Sequence, residues 1–315
     1  MKRLRYALGA LLAVVALWAS LRHVNHDAIR DAMHAASLPW TLAALAATLT
    51  TLVIVTWRWG LLLGLGATRH WGRLWHAVVV GQAVNIVFPL RFGEAARIGL
   101  MARGMDWPVG RVTAALAVER VCDGAAFATV VALLVVSGRL PNAFAGALPT
   151  ALLIAGVTLA SAIAGVFLLP RMLRLIPDST SSRLGRWILR QASGVEAAWS
   201  ALRGWRLAVV ALLTGVVLVS SASTNYLVFR AFDLPVPIVA AFVLLAVLQF
   251  GTAVVSVPGN LGVFQYLTVL TLAAWNIPPS QALAASVVLH VVSLGPRVVL
   301  GAIMTLASWP RPSAR

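Results

Sequence analysis

The segment Pro89-Leu90-Arg91-Phe92-Gly93-Glu94-Ala95-Ala96-Arg97 is followed downstream by Glu119-Arg120-Val121-Cys122-Asp123, inside an otherwise apolar stretch. Only nine of the 315 residues are acidic, so three carboxylates gathered in one apolar region need a reason. Ionisable groups in membrane segments are costly, face the bundle interior and mark pathways for substrates or ions. Glu119 and Asp123, four apart, share one helix face, and Arg120 stands three before Asp123. Arg91 and Arg97 flank Glu94. Three acids against three arginines form a neutral set, the condition under which charges survive in low dielectric. Two roles fit it. The pairs can pin a hairpin to its neighbouring helix, or the arginines can grip an anionic phosphate bidentately while the carboxylates orient them or carry a proton.

A second set lies in the last third of the chain. Pro258-Gly259-Asn260-Leu261-Gly262 breaks an apolar run, and irregular backbone at membrane depth is tolerated only within protein or beside a wet cavity. Gln265, one turn on, can bond a headgroup or a backbone carbonyl. His290 and Arg297 are seven apart in the last apolar stretch, near one helix face. The plainer alternatives are a simple kink and a packing histidine. No His-Glu-x-x-His, Gly-x-Ser-x-Gly or Asp-rich magnesium motif occurs, so neither an enzyme nor a cofactor is expected. Cys122 is the sole cysteine, which excludes an internal disulfide and a cysteine metal site.

The elements that must position these residues are membrane helices. The chain is 60% hydrophobic and 11% charged, with a mean hydropathy of +0.90. Apolar runs of spanning length recur without β-barrel alternation, which predicts an all-α polytopic bundle. Residues 6–21 form an uncleaved first helix and 22–37 an outer amphipathic segment. A helix over 38–57 ends at an interfacial Trp57-Arg58-Trp59 anchor. Further helices are expected at 110–137, 147–169, 207–229, 238–257, 261–276 and 282–308. Residues 1–315 make one integral domain, with an Arg-rich loop at 171–206 between halves 1–170 and 207–315.

The net charge of +16 does not point to nucleic acid, because no basic groove with interleaved aromatics is present. Nineteen of the 25 basic residues fall in segments 2–5, 58–73, 91–111, 171–206 and 311–315. The positive-inside rule makes these segments, and both termini, cytoplasmic. Segment 74–90 then enters and leaves on one side as a re-entrant hairpin. Segment 238–276 is its counterpart from the outer face: Pro89/Gly93 and Pro258/Gly262 share a spacing, with Gln82 and Gln249 upstream. Two interrupted hydrophobic segments in oppositely oriented halves form an inverted-repeat arrangement and point to a transporter binding site.

These motifs together resemble the lysylphosphatidylglycerol synthase transmembrane, flippase-like family. The resemblance rests on Asn85 through Pro89, Arg91-Phe92-Gly93-Glu94 with Arg97, Gly104, Glu119-Arg120-x-x-Asp123, Pro258-Gly259-Asn260-Leu261-Gly262-Val263 and Trp57-Arg58-Trp59. It implies a bacterial inner-membrane protein that moves lipids or lipid-linked headgroups between leaflets. Its expected partners are anionic lipids, with a homo-oligomer or an envelope-biosynthesis protein also compatible. The sequence closes at Arg315 without an aminoacyltransferase domain, so synthase activity is not expected. Gln265 and His290 depart from the Glu and Arg frequent in that family. A scaffold of envelope lipid synthesis and an intramembrane lipid-phosphate transferase or hydrolase are the alternative functions.

Overall fold

A computed structural model describes residues 26–65, 70–88, 92–138, 205–254 and 258–307, with scattered single residues between 141 and 193. Expected helices 6–21 and 147–169, loop 171–206 and Arg91 lie outside this description or are touched only at isolated points. The described residues form nine α-helices and no strand. They are α1 (His26–Ala35), α2 (Leu38–Leu62), α3 (Trp71–Val87), α4 (Phe92–Met105), α5 (Val109–Val136), α6 (Trp205–Ala231), α7 (Ile238–Val254), α8 (Val263–Ala273) and α9 (Pro279–Ala307), with a 3₁₀ turn at Pro258–Asn260. Three of them, α2, α6 and α9, are long and apolar enough to cross a membrane. Large apolar side chains stay exposed along them, such as Leu49 and Val53 on α2 and Val291, Val299 and Ile303 on α9. Such faces suit lipid rather than water.

Four helix ends share one device. The Leu65 N–H bonds the Gly60 carbonyl while Gly64 N–H bonds Leu61, with Gly64 at φ +73°. The same pair of bonds closes α4 at Asp106, α6 at Asp233 and the turn after α8 at Asn276, with φ of 52°, 47° and 58°. Left-handed residues of this kind satisfy the last helical carbonyls, and Asp and Asn tolerate the conformation better than most side chains. In the last three cases a proline follows two residues later (Pro108, Pro235, Pro278) and the next helix begins within a few residues.

The chain divides into two compact units. One comprises Met1–Thr51, Val79–Glu94 and Val219–Arg315. Its core includes Ala44, Phe229, Leu244, Phe264, Leu272 and Leu289. There α2 and α6 run antiparallel: Ser37 N–H bonds the Ala231 carbonyl, and Thr51 Oγ1 lies 2.8 Å from Ser220 Oγ. Helices α7, α8 and α9 pack consecutively against one another, and the Cα of Gly301 on α9 sits close against Ala83 of α3. The other unit comprises Leu52–Val78 and Ala95–Leu218, with a core that includes Trp59, Leu62, Leu74, Met101, Val112 and Val210.

Two expected boundaries are corrected. Residues 71–87 are one continuous helix, and the stretch after it, read as a basic loop, is a second helix, α4, beside it. A Cβ on Gly93 would fall on the Gly81 carbonyl oxygen, so the start of α4 lies directly on the backbone of α3. Near the other ends of the two helices, Arg73 Nη1 donates to Met105 Sδ at 3.4 Å. The second correction is α2, which does not stop at an interfacial anchor but continues to Leu62, leaving Arg58 and Trp59 buried.

Candidate functional site

Arg58 was absent from the expected site and is central to it. One turn before the end of α2, its side chain is 2% exposed. Arg58 Nη2 donates to Glu119 Oε1 at 2.9 Å, and Nη1 donates to Asp123 Oδ1 at 2.6 Å and to Thr214 Oγ1 at 3.0 Å. The Thr214 hydroxyl spends its own proton on the Val210 carbonyl, so its lone pairs face the arginine. Helical spacing puts Glu119 and Asp123 of α5 on one side, and a single guanidinium bridges both carboxylates.

Arg97 approaches Glu119 from α4. Its Nη1 stands 2.9 Å from Glu119 Oε2, an ion pair whose alignment falls short of a hydrogen bond. The guanidinium carbon lies 3.8 Å from the ring centre of Trp59, a cation–π contact that covers one face of the cation. Arg97 Nε and Nη2 are buried without a hydrogen-bond partner. Trp59 Nε1 and Arg58 Nε are likewise buried and unmatched. Buried donors without acceptors are uncommon in native proteins and call for water, an ion or a ligand. Arg120 Nη1 donates to Asp123 Oδ2 at 3.4 Å, as its spacing foretold. Among the described residues, Arg58, Arg97 and Arg120 thus stand against Glu119 and Asp123.

Arg97 flanks Glu94 in sequence, and in the structure it supplies a cation to Glu119, 22 residues on. Glu94 occupies the first turn of α4, where its negative charge suits the helix N-terminus. Asn85 serves locally: its Oδ1 accepts the Gly93 N–H at 2.8 Å and fixes the start of α4 against α3.

The second break has a parallel arrangement. Pro258, Gly259 and Asn260 form the 3₁₀ turn, with Gly259 and Asn260 at φ of 65° and 54°. Gly262 has φ 78° and starts α8. Gln265 Oε1 accepts the Gly262 N–H at 2.8 Å, and its Nε2 lies 3.3 Å from His290 Nδ1 on α9. The donor order follows from chemistry. A backbone N–H can only donate, so Oε1 faces Gly262, Nε2 faces His290, and Nδ1 must accept. His290 therefore holds this contact only as a neutral ring protonated on Nε2. Phe264 adds an edge-to-face contact, 4.9 Å between ring centres. Arg297, two turns beyond His290, joins no ion pair or hydrogen bond among the described residues, and its Nε is buried.

A helical integral membrane protein with a charged network buried among its helices is the class that these features define. The chain belongs to the family described as the lysylphosphatidylglycerol synthase TM region, whose match covers residues 6–301. This is a family of membrane proteins concerned with lipid modification or translocation. No curated protein matches the chain.

Proposed function

We propose that this protein is a lipid translocator, carrying a phospholipid or lipid-linked headgroup between the leaflets of a bacterial inner membrane. The observation that carries this reading is Arg97. It is buried, held on one edge by Glu119 and stacked on Trp59, while its Nε and second Nη have no partner. A guanidinium edge with two parallel N–H donors matches two oxygens of a phosphate. Arg58, by contrast, has both terminal nitrogens committed to Glu119, Asp123 and Thr214, and its role in this reading is to hold the carboxylates in place.

Element lengths support a transporter built from two related halves. Helices α2 to α5 have 25, 17, 14 and 28 residues, and α6 to α9 have 27, 17, 11 and 29. The interrupting motifs Pro89/Gly93 and Pro258/Gly262 fall between the second and third helix of each set, and a side-chain amide holds the glycine in both. Helix α2 and its counterpart α6 run antiparallel, as an inverted repeat requires. At 1.5 Å per residue, α3, α4, α7 and α8 reach at most about 26 Å, short of a hydrocarbon core of about 30 Å. In this reading they are the arms of two re-entrant hairpins, with both termini cytoplasmic.

Purified protein in liposomes with fluorescent phosphatidylglycerol in one leaflet tests the function. Movement that exceeds protein-free vesicles supports translocation. A bound envelope protein that persists when Arg97 is replaced, with no lipid movement by wild type, favours the scaffold alternative.

A further inference from the structure

Among the described residues, Arg297 is the one arginine with a buried nitrogen that has no ion pair, hydrogen bond or ring contact there, and its side chain as a whole is half-buried. Arg58 has Glu119, Asp123 and Thr214; Arg97 has Glu119 and the face of Trp59; Arg111 donates to the Leu63 carbonyl and lies over Trp107; Arg120 donates to Asp123. Arg297 joins no ion pair, and its Nε is enclosed without an acceptor. It lies inside α9, a helix long and apolar enough to span a membrane. The other ionisable side chain of that helix, His290, is a neutral acceptor toward Gln265. The nearest position on the chain with a free carbonyl is Val292, whose helical donor is missing because Pro296 has no N–H.

Its level in the unit follows from the antiparallel run of α8 and α9. His290 meets Gln265, so seven residues further along α9, about 10 Å on, Arg297 lies past the start of α8, on the side of the Pro258–Asn260 turn. That is the irregular turn where Gly259, Asn260 and Gly262 all have left-handed backbone. A cation within a span that has no partner among the described residues calls for an anion or a wet cavity beside it. A guanidinium, which is more weakly hydrated than an ammonium and presents a planar fork, selects an oxyanion such as phosphate.

We propose that Arg297 is a second phosphate-binding residue, taking a phosphate-class oxyanion beside the Pro258–Gly262 turn, in the unit that does not contain Arg97. The assignment rests on the lipid-translocator reading for its natural occupant, a phospholipid headgroup, while the binding itself is measured without transport. Native mass spectrometry of the detergent-purified full chain, titrated with dioleoylphosphatidylglycerol and separately with dioleoylglycerol, provides the test. Arg297→Gln is expected to bind the phosphatidylglycerol about tenfold more weakly than wild type, with dioleoylglycerol binding unchanged. Equal phosphatidylglycerol binding by the two proteins overturns the proposal. Where Arg297→Gln does not fold, Arg297→Lys takes its place. It keeps the charge and loses the fork, so at an unchanged unfolding temperature it should bind several-fold more weakly, and equal binding again overturns the proposal. Added sodium phosphate separates the sources: a lipid site keeps its phosphatidylglycerol at millimolar phosphate, whereas displacement identifies the free anion as occupant. Arg97→Gln in the transport assay stands apart from this result, so either idea can fail alone.

Discussion

Glu119 is held from two sides, by Arg58 at Oε1 and by Arg97 at Oε2, and the two arginines differ in what they have left over. Replacing Arg58 removes the one group that bridges both carboxylates and leaves Glu119 to Arg97 and Asp123 to Arg120, so Arg58→Gln is expected to destabilise the fold by about 3 kcal/mol, the low end for breaking a buried pair. Thermal unfolding in detergent, followed by circular dichroism, measures this. Arg97→Gln leaves Glu119 paired with Arg58 and removes a cation short of partners, so its unfolding temperature should fall by clearly less. Equal falls would assign both residues to pinning alone. Arg58 was hidden from sequence reading by its neighbours. An Arg between two tryptophans has the composition of an interfacial anchor, and only the carboxylates of a helix about 60 residues away turn it inward. The Arg120–Asp123 contact was legible because it lies within one helical turn.

At the scale of the element, the glycines at the two breaks are each held by a side-chain amide, Gly93 by Asn85 and Gly262 by Gln265. Gly93 is boxed against Gly81 and Asn85, so Gly93→Ala should force α4 away from α3. Overpacking of this kind costs about 1–3 kcal/mol, visible as a lower unfolding temperature and faster hydrogen exchange at the start of α4. The second break depends on a titratable ring. Gln265 bonds His290 only while Nδ1 is unprotonated, so the fastening is present at high pH and is lost as the ring gains a proton. Amide exchange over residues 262–266 should therefore rise on acidification in wild type and be pH-insensitive in His290→Leu once intrinsic exchange is corrected for. An unchanged pH profile in that variant would remove His290 from this role. Sequence alone located both breaks, because Pro and Gly punctuate helices whatever surrounds them. It read Phe92–Met105 as a loop because Arg97, Arg103 and three glycines outweigh its apolar residues locally, and the burial of Arg97 on Trp59 is a tertiary fact. The link from Gln265 to His290 spans 25 residues and carries no local signal.

For the molecule as a whole, composition established an all-helical membrane protein, and the family match over residues 6–301 agrees with the resemblance carried by its motifs. The helix lengths of the two sets, and the antiparallel course of α2 and α6, are what an inverted pair of halves would produce. The proposed translocator would exchange contacts as it moves its substrate, which fits a cluster with one arginine committed at both terminal nitrogens and another with free donors. The central claim is that the unmatched edge of Arg97 receives a lipid phosphate. The most direct measurement is the rate at which fluorescent phosphatidylglycerol changes leaflet in liposomes holding equal amounts of folded wild type or Arg97→Gln. The account predicts movement by wild type and a loss of at least tenfold in the variant, with its helical content and unfolding cooperativity retained. Transport by Arg97→Gln at the wild-type rate would contradict it.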